Sequence, residues 1–214
     1  MRTISLGQVR KGERFILDGV AFVKLDEDRE ASFALAEDVV LKGTAFDTKD
    51  REDRNNYYGS HLHYALDEWA FQHEALYEAA LERPIDLFSM DGMDDYGRPE
   101  LAVRILTLDE YRKYRIIIPK VSENYWLATP DVTFFKPMGD GHGVCFVRPS
   151  GRVSYEFVSE LFSGRPSFYL NSSVPVSVED APKISFEVPP TVQANLKSYS
   201  TAQLLAEVGR RMEK

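Results

Sequence analysis

The sequence predicts an α+β fold, mostly antiparallel sheet with two helices and an appended C-terminal helix. Three observations carry that expectation. Short apolar runs broken by turn residues fill most of the chain, three- and four-residue apolar spacing is confined to two stretches, and a Pro-Pro pair precedes a last amphipathic segment. The first element is "RFILDGVAFVKL" (14–25), where Asp18-Gly19 supplies the positive-φ residues of a two-residue turn and so predicts a β-hairpin. "SFALAEDVVL" (32–41) adds a further strand or two, and "DTKDREDRNN" (47–56) is too charged to be buried and reads as a surface loop. From Ser60, the residues Leu62, Leu66, Trp69, His73, Leu76 and Ala80 recur at helical spacing, with Ser60 as N-cap and Pro84 as stop. "TLDEYRKY" (107–114) is a second, short helix, in which Thr107 and Glu110 have capping-box spacing and Pro119 closes the segment.

Beyond Pro119 strands and turns dominate. "GVCFVR" (143–148) and "RVSYEFV" (152–158) flank Pro149-Ser150-Gly151 as a hairpin, and "PSFYL" (166–170), "VPVSV" (174–178) and "ISFEV" (184–188) follow. Their prolines mark edge strands or strand ends. The expected organisation is an α+β domain over 1–180, a linker over 181–199 that contains Pro189-Pro190, and an amphipathic helix over 200–214 capped by Ser200 and Gln203. Its stripe of Leu204, Leu205, Val208 and Met212 is expected to serve oligomerisation between copies of the chain.

Composition narrows the function. The chain has 214 residues and a net charge of −8, which disfavours general binding to nucleic-acid phosphates and suits a basic protein surface or simple solubility. No apolar run approaches the roughly 20 residues needed to cross a bilayer, and "MRTISLGQVRKGERF" lacks the pattern of a signal peptide, so a cytoplasmic or virion-associated location is expected and a membrane role is not. Cys145 is the only cysteine; it excludes an internal disulfide, and in its apolar strand it reads as a small hydrophobe.

The ordered set "FILDGVAFVKL", "SHLHYAL", "ILTLDEYRKY", "YWLATP", "VRPSGRVS" and "GRPSFYL" resembles a family of uncharacterised domains of Firmicutes bacteria and their phages, over residues 4–178. The family pattern includes a Trp-Trp-Leu-Arg-Ser/Thr-Pro core motif and a closing Val-Arg-Pro-Ala-Leu strand. It is in turn similar, at fold level, to C-type-lectin-like domains. The resemblance assigns structural motif positions to Tyr125, Trp126, Pro130, Arg148, Arg165 and Pro166. It implies a central strand with Tyr125 and Trp126 on opposite sides, ended by Thr129-Pro130 so that a long loop can begin. Two departures stand out: Ala128 occupies the place of the family arginine, and Gly164 precedes Arg165-Pro166 where a valine is usual.

The loop "DVTFFKPMGDGHG" (131–143) places apolar residues among glycines and is the expected contact surface. Its binding residues are Phe134, Phe135, Lys136, Met138 and His142, with help from Tyr155 and Phe157. The alternative, that the phenylalanines fold back into the core, stays open. His61 and His63 are two apart and do not form one ligand face, so no metal site is assigned. Asp91, Asp94, Asp95 and Glu100 offer oxygen for calcium without EF-hand spacing, and turn chemistry is the favoured reading there. No nucleophile elbow, Walker loop or zinc-protease motif is present, and no cofactor is called for. The expectation is a non-enzymatic binding module of phage or prophage origin that meets a protein or a glycan through 131–142. A phage inhibitor that docks on a host defence protein is the alternative.

Overall fold

The computed structural model describes residues 1–48, 53–133 and 142–179, all of them within the unit Met1–Asp180. The strand expected at 184–188, the linker at 181–199 and the helix at 200–214, with Leu204, Leu205, Val208 and Met212, lie outside the described residues. In chain order the first strands are β1 (Arg2–Ser5), β2 (Arg14–Leu17), β3 (Val20–Glu27), β4 (Ala31–Ala36) and β5 (Leu41–Ala45). Helices α1 (His61–Phe71) and α2 (Glu74–Ala79) follow, then the short strands β6 (Ala80–Leu81), β7 (Arg83–Pro84), β8 (Glu100–Leu101) and β9 (Arg104–Ile105). Helix α3 (Leu108–Tyr114) leads to β10 (Tyr125–Pro130), β11 (Gly143–Val147), β12 (Val153–Phe157), β13 (Leu161–Gly164), β14 (Pro166–Asn171) and β15 (Pro175–Val178).

These strands form an α+β architecture dominated by antiparallel pairing. One sheet runs β1-β15-β2-β3-β4-β14-β6, with β9 also on β14; a second runs β12-β11-β10-β13-β5, and β7 with β8 makes a small ribbon. Only the contact of β10 with β13 is parallel. The first hairpin follows from its turn: Asp18 and Gly19 both adopt positive φ, at 52° and 77°, and bring Leu17 opposite Val20. The prolines sit at strand ends, since Pro166 and Pro175 open β14 and β15 and Pro130 closes β10. Among the described residues no helix is long and apolar enough to cross a membrane.

Two expectations need correction. The single helix expected from Ser60 to Pro84 is two short ones, so the described residues hold three helices rather than two. Ser60 does cap α1, its side chain accepting from His63 N at 3.1 Å, but the coil tightens at the far end. Gln72 N bonds Trp69 O and His73 N bonds Ala70 O, and His73 leaves the helical region at φ −112°, ψ 82°. Ala80 and Leu81 are then claimed by β14, so the helix cannot run on to Pro84. The segment 47–56 is not simply a surface loop either: Asp47, Asn55 and Asn56 are buried. Burial is tolerated because each is bonded; Asp47 Oδ1, for instance, accepts from Thr48 N at 2.8 Å and His61 N at 3.3 Å.

The two sheets are continuous through a corner. Ser167 of β14 faces Leu35 of β4, while Gly164 of β13 faces Leu41 of β5. Residues 36–40 on one strand are therefore opposed by Arg165 and Pro166 alone on the other. A ladder cannot run evenly through that mismatch, which bends the pair from one sheet into the next. The carbonyls turned toward the corner are taken by the Arg165 side chain. Only 1% exposed, Arg165 donates from Nε to Ala36 O (2.9 Å), from Nη2 to Glu37 O (2.6 Å) and from Nη1 to Pro119 O (3.0 Å), and its guanidinium lies 5.1 Å from the centre of the Tyr125 ring.

β10 is buried on both faces. Trp126 and Ala128 join the larger apolar cluster, where Trp126 packs against Phe46, Phe146 and Phe162 and donates from Nε1 to Thr44 O at 3.0 Å. Tyr125 and Leu127 face a second cluster with Cys145, Val147, Leu106 and the α3 residues Tyr111 and Tyr114. Ala128, where the family pattern has arginine, is fully buried beside Trp126 rather than exposed, so a long cation there would have to enter the core.

Helix α3 is held to β3 by a polar cluster. Thr107 and Glu110 form the expected capping box at its start, and near its end Tyr114 Oη donates to Asp26 Oδ2 at 2.6 Å. Lys113 Nζ and Lys11 Nζ lie 3.1 and 3.5 Å from the same carboxylate. Burial alone would raise the Asp26 pKa, but the hydrogen bonds from Tyr114 and Lys113 outweigh it and hold the carboxyl down at about 2.

Two predictions follow from these contacts. Arg165→Lys replaces a fork that serves three carbonyls with one ammonium, and at roughly 1–3 kcal/mol per orphaned buried acceptor the loss is expected to lower the urea midpoint strongly without changing the m-value. Because the folded pKa of Asp26 lies below its unfolded value near 3.8, its contribution is complete above about pH 4 and lost as pH falls toward 2. Asp26→Asn should flatten the melting temperature across that window, measured against the parent protein in the same buffers.

Candidate binding surface at the open edge of the second sheet

β12 is the outer strand of its sheet, and its hydrogen-bond phase is set by two bonds at its ends. Arg148 N bonds Arg152 O at 2.9 Å, and Val158 N bonds His142 O at 2.8 Å. Antiparallel ladders alternate, so Arg152, Ser154, Glu156 and Val158 turn their backbone groups toward β11, while Val153, Tyr155 and Phe157 turn theirs away. Phe157 uses both: its N–H reaches Glu156 Oε1 at 3.3 Å and its carbonyl accepts from Glu160 N at 3.0 Å. The N–H and C=O of Val153 and Tyr155 have no partner among the described residues.

Side chains follow the same alternation. Tyr155 lies opposite Cys145 and Phe157 opposite Gly143, on the face that carries the second apolar cluster. Among the described residues nothing comparable covers these two rings, and Tyr155 is 58% and Phe157 55% exposed. Leu161, after the turn into β13, adds a third exposed apolar side chain that the sequence reading did not single out.

The base of the loop that begins at Asp131 is anchored firmly. Asn55, fully buried, donates from Nδ2 to Val132 O (2.8 Å) and Gly143 O (3.1 Å), and its Oδ1 accepts from Tyr96 Oη at 2.5 Å. Thr133 Oγ1 donates to Asp95, Met90 N to Pro130 O, and Asp131 N to Gly143 O at 3.1 Å. The Asp131 carboxylate lies over Gly143, and a side chain at 143 would have to displace it. Asn55 is the residue the sequence concealed: inside "DREDRNN" it looks like any polar loop residue, and only the fold shows that it clasps both ends of the loop.

Of the expected contact residues, Phe134, Phe135, Lys136 and Met138 lie outside the described residues. His142, half-buried, pairs through its backbone with Val158, just beyond Phe157 at the end of β12. The motif residues are placed elsewhere. Tyr125, Trp126, Pro130, Arg165 and Pro166 are interior, and Arg148 is exposed at the hairpin turn with its guanidinium 5.4 Å from the Phe146 ring centre.

Several titratable groups near the site are engaged in structure. Burial pushes the Cys145 thiol up to about 12, with the Asp131 carboxylate adding to the effect, so it stays protonated. His63, between Tyr57 and Tyr64, is held below its usual pKa by burial and accepts from Gly59 N at Nδ1 (3.3 Å). In the acidic turn, Asp91 accepts from Ser89 and Asp95 from Thr133. Among the described residues no group of three or more His, Cys, Asp or Glu side chains converges on a metal position.

If Asn55 is the clasp, Asn55→Ala should raise amide exchange at Asp131 and Val158 far more than at Phe22 or Leu35 in the other sheet, as read by hydrogen–deuterium exchange. Its overall cost should be roughly 1–3 kcal/mol, since Val132 O loses the Asn55 donor while Gly143 O keeps Asp131 N. Comparison with known proteins returns no match for this chain, whether to family models, to curated sequences or to solved structures.

Proposed function

We propose that the protein is a non-enzymatic binding module that takes an extended segment of a protein partner onto the free edge of β12. The observation that supports this most directly is the coincidence, on one strand, of outward backbone groups at Val153 and Tyr155 with two exposed aromatic rings. Backbone pairing of an added strand supplies affinity, and rings on alternate positions supply selectivity. The loop 131–142, expected to make contact, has its described base anchored by Asn55 at the same end of the sheet. The module reading also suits the interior, where buried polar side chains such as Arg165, Arg104 and Asn55 are occupied by structural contacts. The resemblance to phage-encoded domains favours virion decoration or receptor binding as the setting.

The experiment uses three purified full-length proteins. Partner is captured from lysate of the native host, with and without phage, and then isolated for a binding titration. Tyr155→Ser/Phe157→Ser should weaken binding by at least about tenfold, as expected for loss of two interface aromatics. Tyr155→Pro removes an outward N–H while keeping the inner ladder, because Pro is tolerated on the solvent side of an edge strand. It should be as damaging as the double variant if backbone pairing is used. Full binding by both variants, with melting temperatures like that of the parent, would rule out the β12 edge.

A further inference from the structure

Between the end of α3 and the turn that joins β11 to β12 lies a cleft of about 240 Å³ whose charge is the reverse of the molecule's. Arg115 and Lys120 reach it from the segment after α3, Arg148 and Ser150 reach it from the turn, and no Asp or Glu lines it. The chain as a whole carries −8. Nearby cations on α3 are neutralised, Arg112 by Asp109 at 3.1 Å and Lys113 by Asp26 at 3.1 Å. Arg115, Lys120 and Arg148 make no ion pair with a described residue.

The two guanidiniums are held in place by the fold. Arg115 donates from Nη2 to Gly151 O at 2.9 Å and lies 6.0 Å from the centre of the Tyr111 ring. Tyr111 Oη donates to the same carbonyl at 2.9 Å, and Gly151, at φ 77°, closes the turn with its N–H on Arg148 O at 2.7 Å. The turn is thus fastened to α3. Arg148 rests over Phe146 and gives none of its side-chain donors to a described residue, while Ser150 Oγ accepts from Arg152 N at 3.4 Å and keeps its own O–H to donate. Donors fixed in advance lose little freedom when a ligand binds.

A further cation stands behind the wall. Pro119 and Tyr125 line the cleft, and both touch Arg165, which is bonded to neutral carbonyls and has no ion pair with a described residue. The carboxylates whose charge it feels, Asp38 and Glu37, line the neighbouring groove and not this cleft. A buried charge is poorly screened, so its potential adds to that of the three cations in front.

Such a site favours a compact ligand with more than one negative charge. A carboxylate brings a single charge, whereas a phosphomonoester brings about −1.5 to −2 at pH 7 and three acceptor oxygens for forked donors. The cleft is smaller than the roughly 300–1,000 Å³ that encloses a drug-sized molecule, and a long polyanion would be repelled by the acidic remainder of the chain.

We propose that the cleft between Arg115, Lys120 and Arg148 binds a single phosphomonoester group. This site is separate from the β12 edge and does not rest on it. A soluble phosphate ester and the headgroup of phosphatidic acid share that chemistry, and Ile116, 99% exposed at the rim, is the side chain a lipid surface would meet.

The full-length protein is titrated calorimetrically with sodium phosphate at about pH 7.5, above the second phosphate pKa of about 6, and with sodium acetate at matched ionic strength. Saturable binding of phosphate is expected, at least about tenfold tighter than acetate. Lys120→Gln/Arg148→Gln leaves the bond from Arg115 to Gly151 in place and should weaken phosphate about tenfold or more at an unchanged melting temperature. Arg2→Gln/Arg29→Gln, which removes the same charge from exposed positions elsewhere, should bind as the parent does. The proposal is overturned if phosphate does not saturate, if acetate binds as well, if Lys120→Gln/Arg148→Gln binds like the parent, or if Arg2→Gln/Arg29→Gln loses as much. Phosphatidylcholine vesicles with and without phosphatidic acid then identify the source. Sedimentation with phosphatidic acid that Ile116→Ser abolishes assigns a headgroup, and phosphate binding without sedimentation assigns a soluble ester; the phosphate titration decides the proposal in both cases.

Discussion

The architecture depends on one buried cation. Two strand pairs turn together from one sheet into the other, but they turn with unequal numbers of residues, and the surplus carbonyls at Ala36 and Glu37 face the interior. An unsatisfied buried carbonyl is expensive. Arg165 resolves the mismatch with a side chain that is all donor and stays protonated. Its third bond, to Pro119 O, brings in the segment between α3 and β10. The corner therefore sets where both sheets lie relative to the second apolar cluster.

A similar economy governs the aromatic residues. β10 alternates its rings, Trp126 to the larger cluster and Tyr125 to the smaller, so one strand is the shared wall of two cores. Arg104 has a counterpart role, its guanidinium 5.3 and 5.5 Å from the centres of the stacked Phe33 and Tyr169 rings and with Glu110 as its ion partner. These two buried guanidiniums thus lie against aromatic rings. The aromatics left outside fall on the outer strand and on the helical face, where no described element covers them.

Local chemistry was readable wherever a short-range signal decided the outcome. Asp18-Gly19 announces its hairpin, Thr107 and Glu110 announce a helix start, and the prolines announce strand ends. The run through 60–84 reads as one helix because apolar spacing persists in Leu76 and Ala80, whereas the coil tightens at Gln72-His73 and Ala80 and Leu81 pair with β14, nearly ninety residues later in the chain. Asn55 and Arg165 were opaque for the same reason. Their roles depend on partners at separations of 77 and 129 residues, and no window of sequence holds both halves of such a contact. Tyr155 and Phe157 could be named from the alternation in "VSYEF", but whether that alternation faces a core or solvent depends on strand order, which periodicity does not encode.

The buried thiol of Cys145 has a further consequence. It is the only cysteine in the chain, fully enclosed in β11 next to the proposed docking strand. A thiol reagent can reach it only when β11 parts from its neighbours, so the protein carries a chemical clock for opening of the second sheet. The labelling rate, set against that of an exposed thiol, gives the free energy of that opening. A ligand seated on β12 would slow the clock without touching the sulfur.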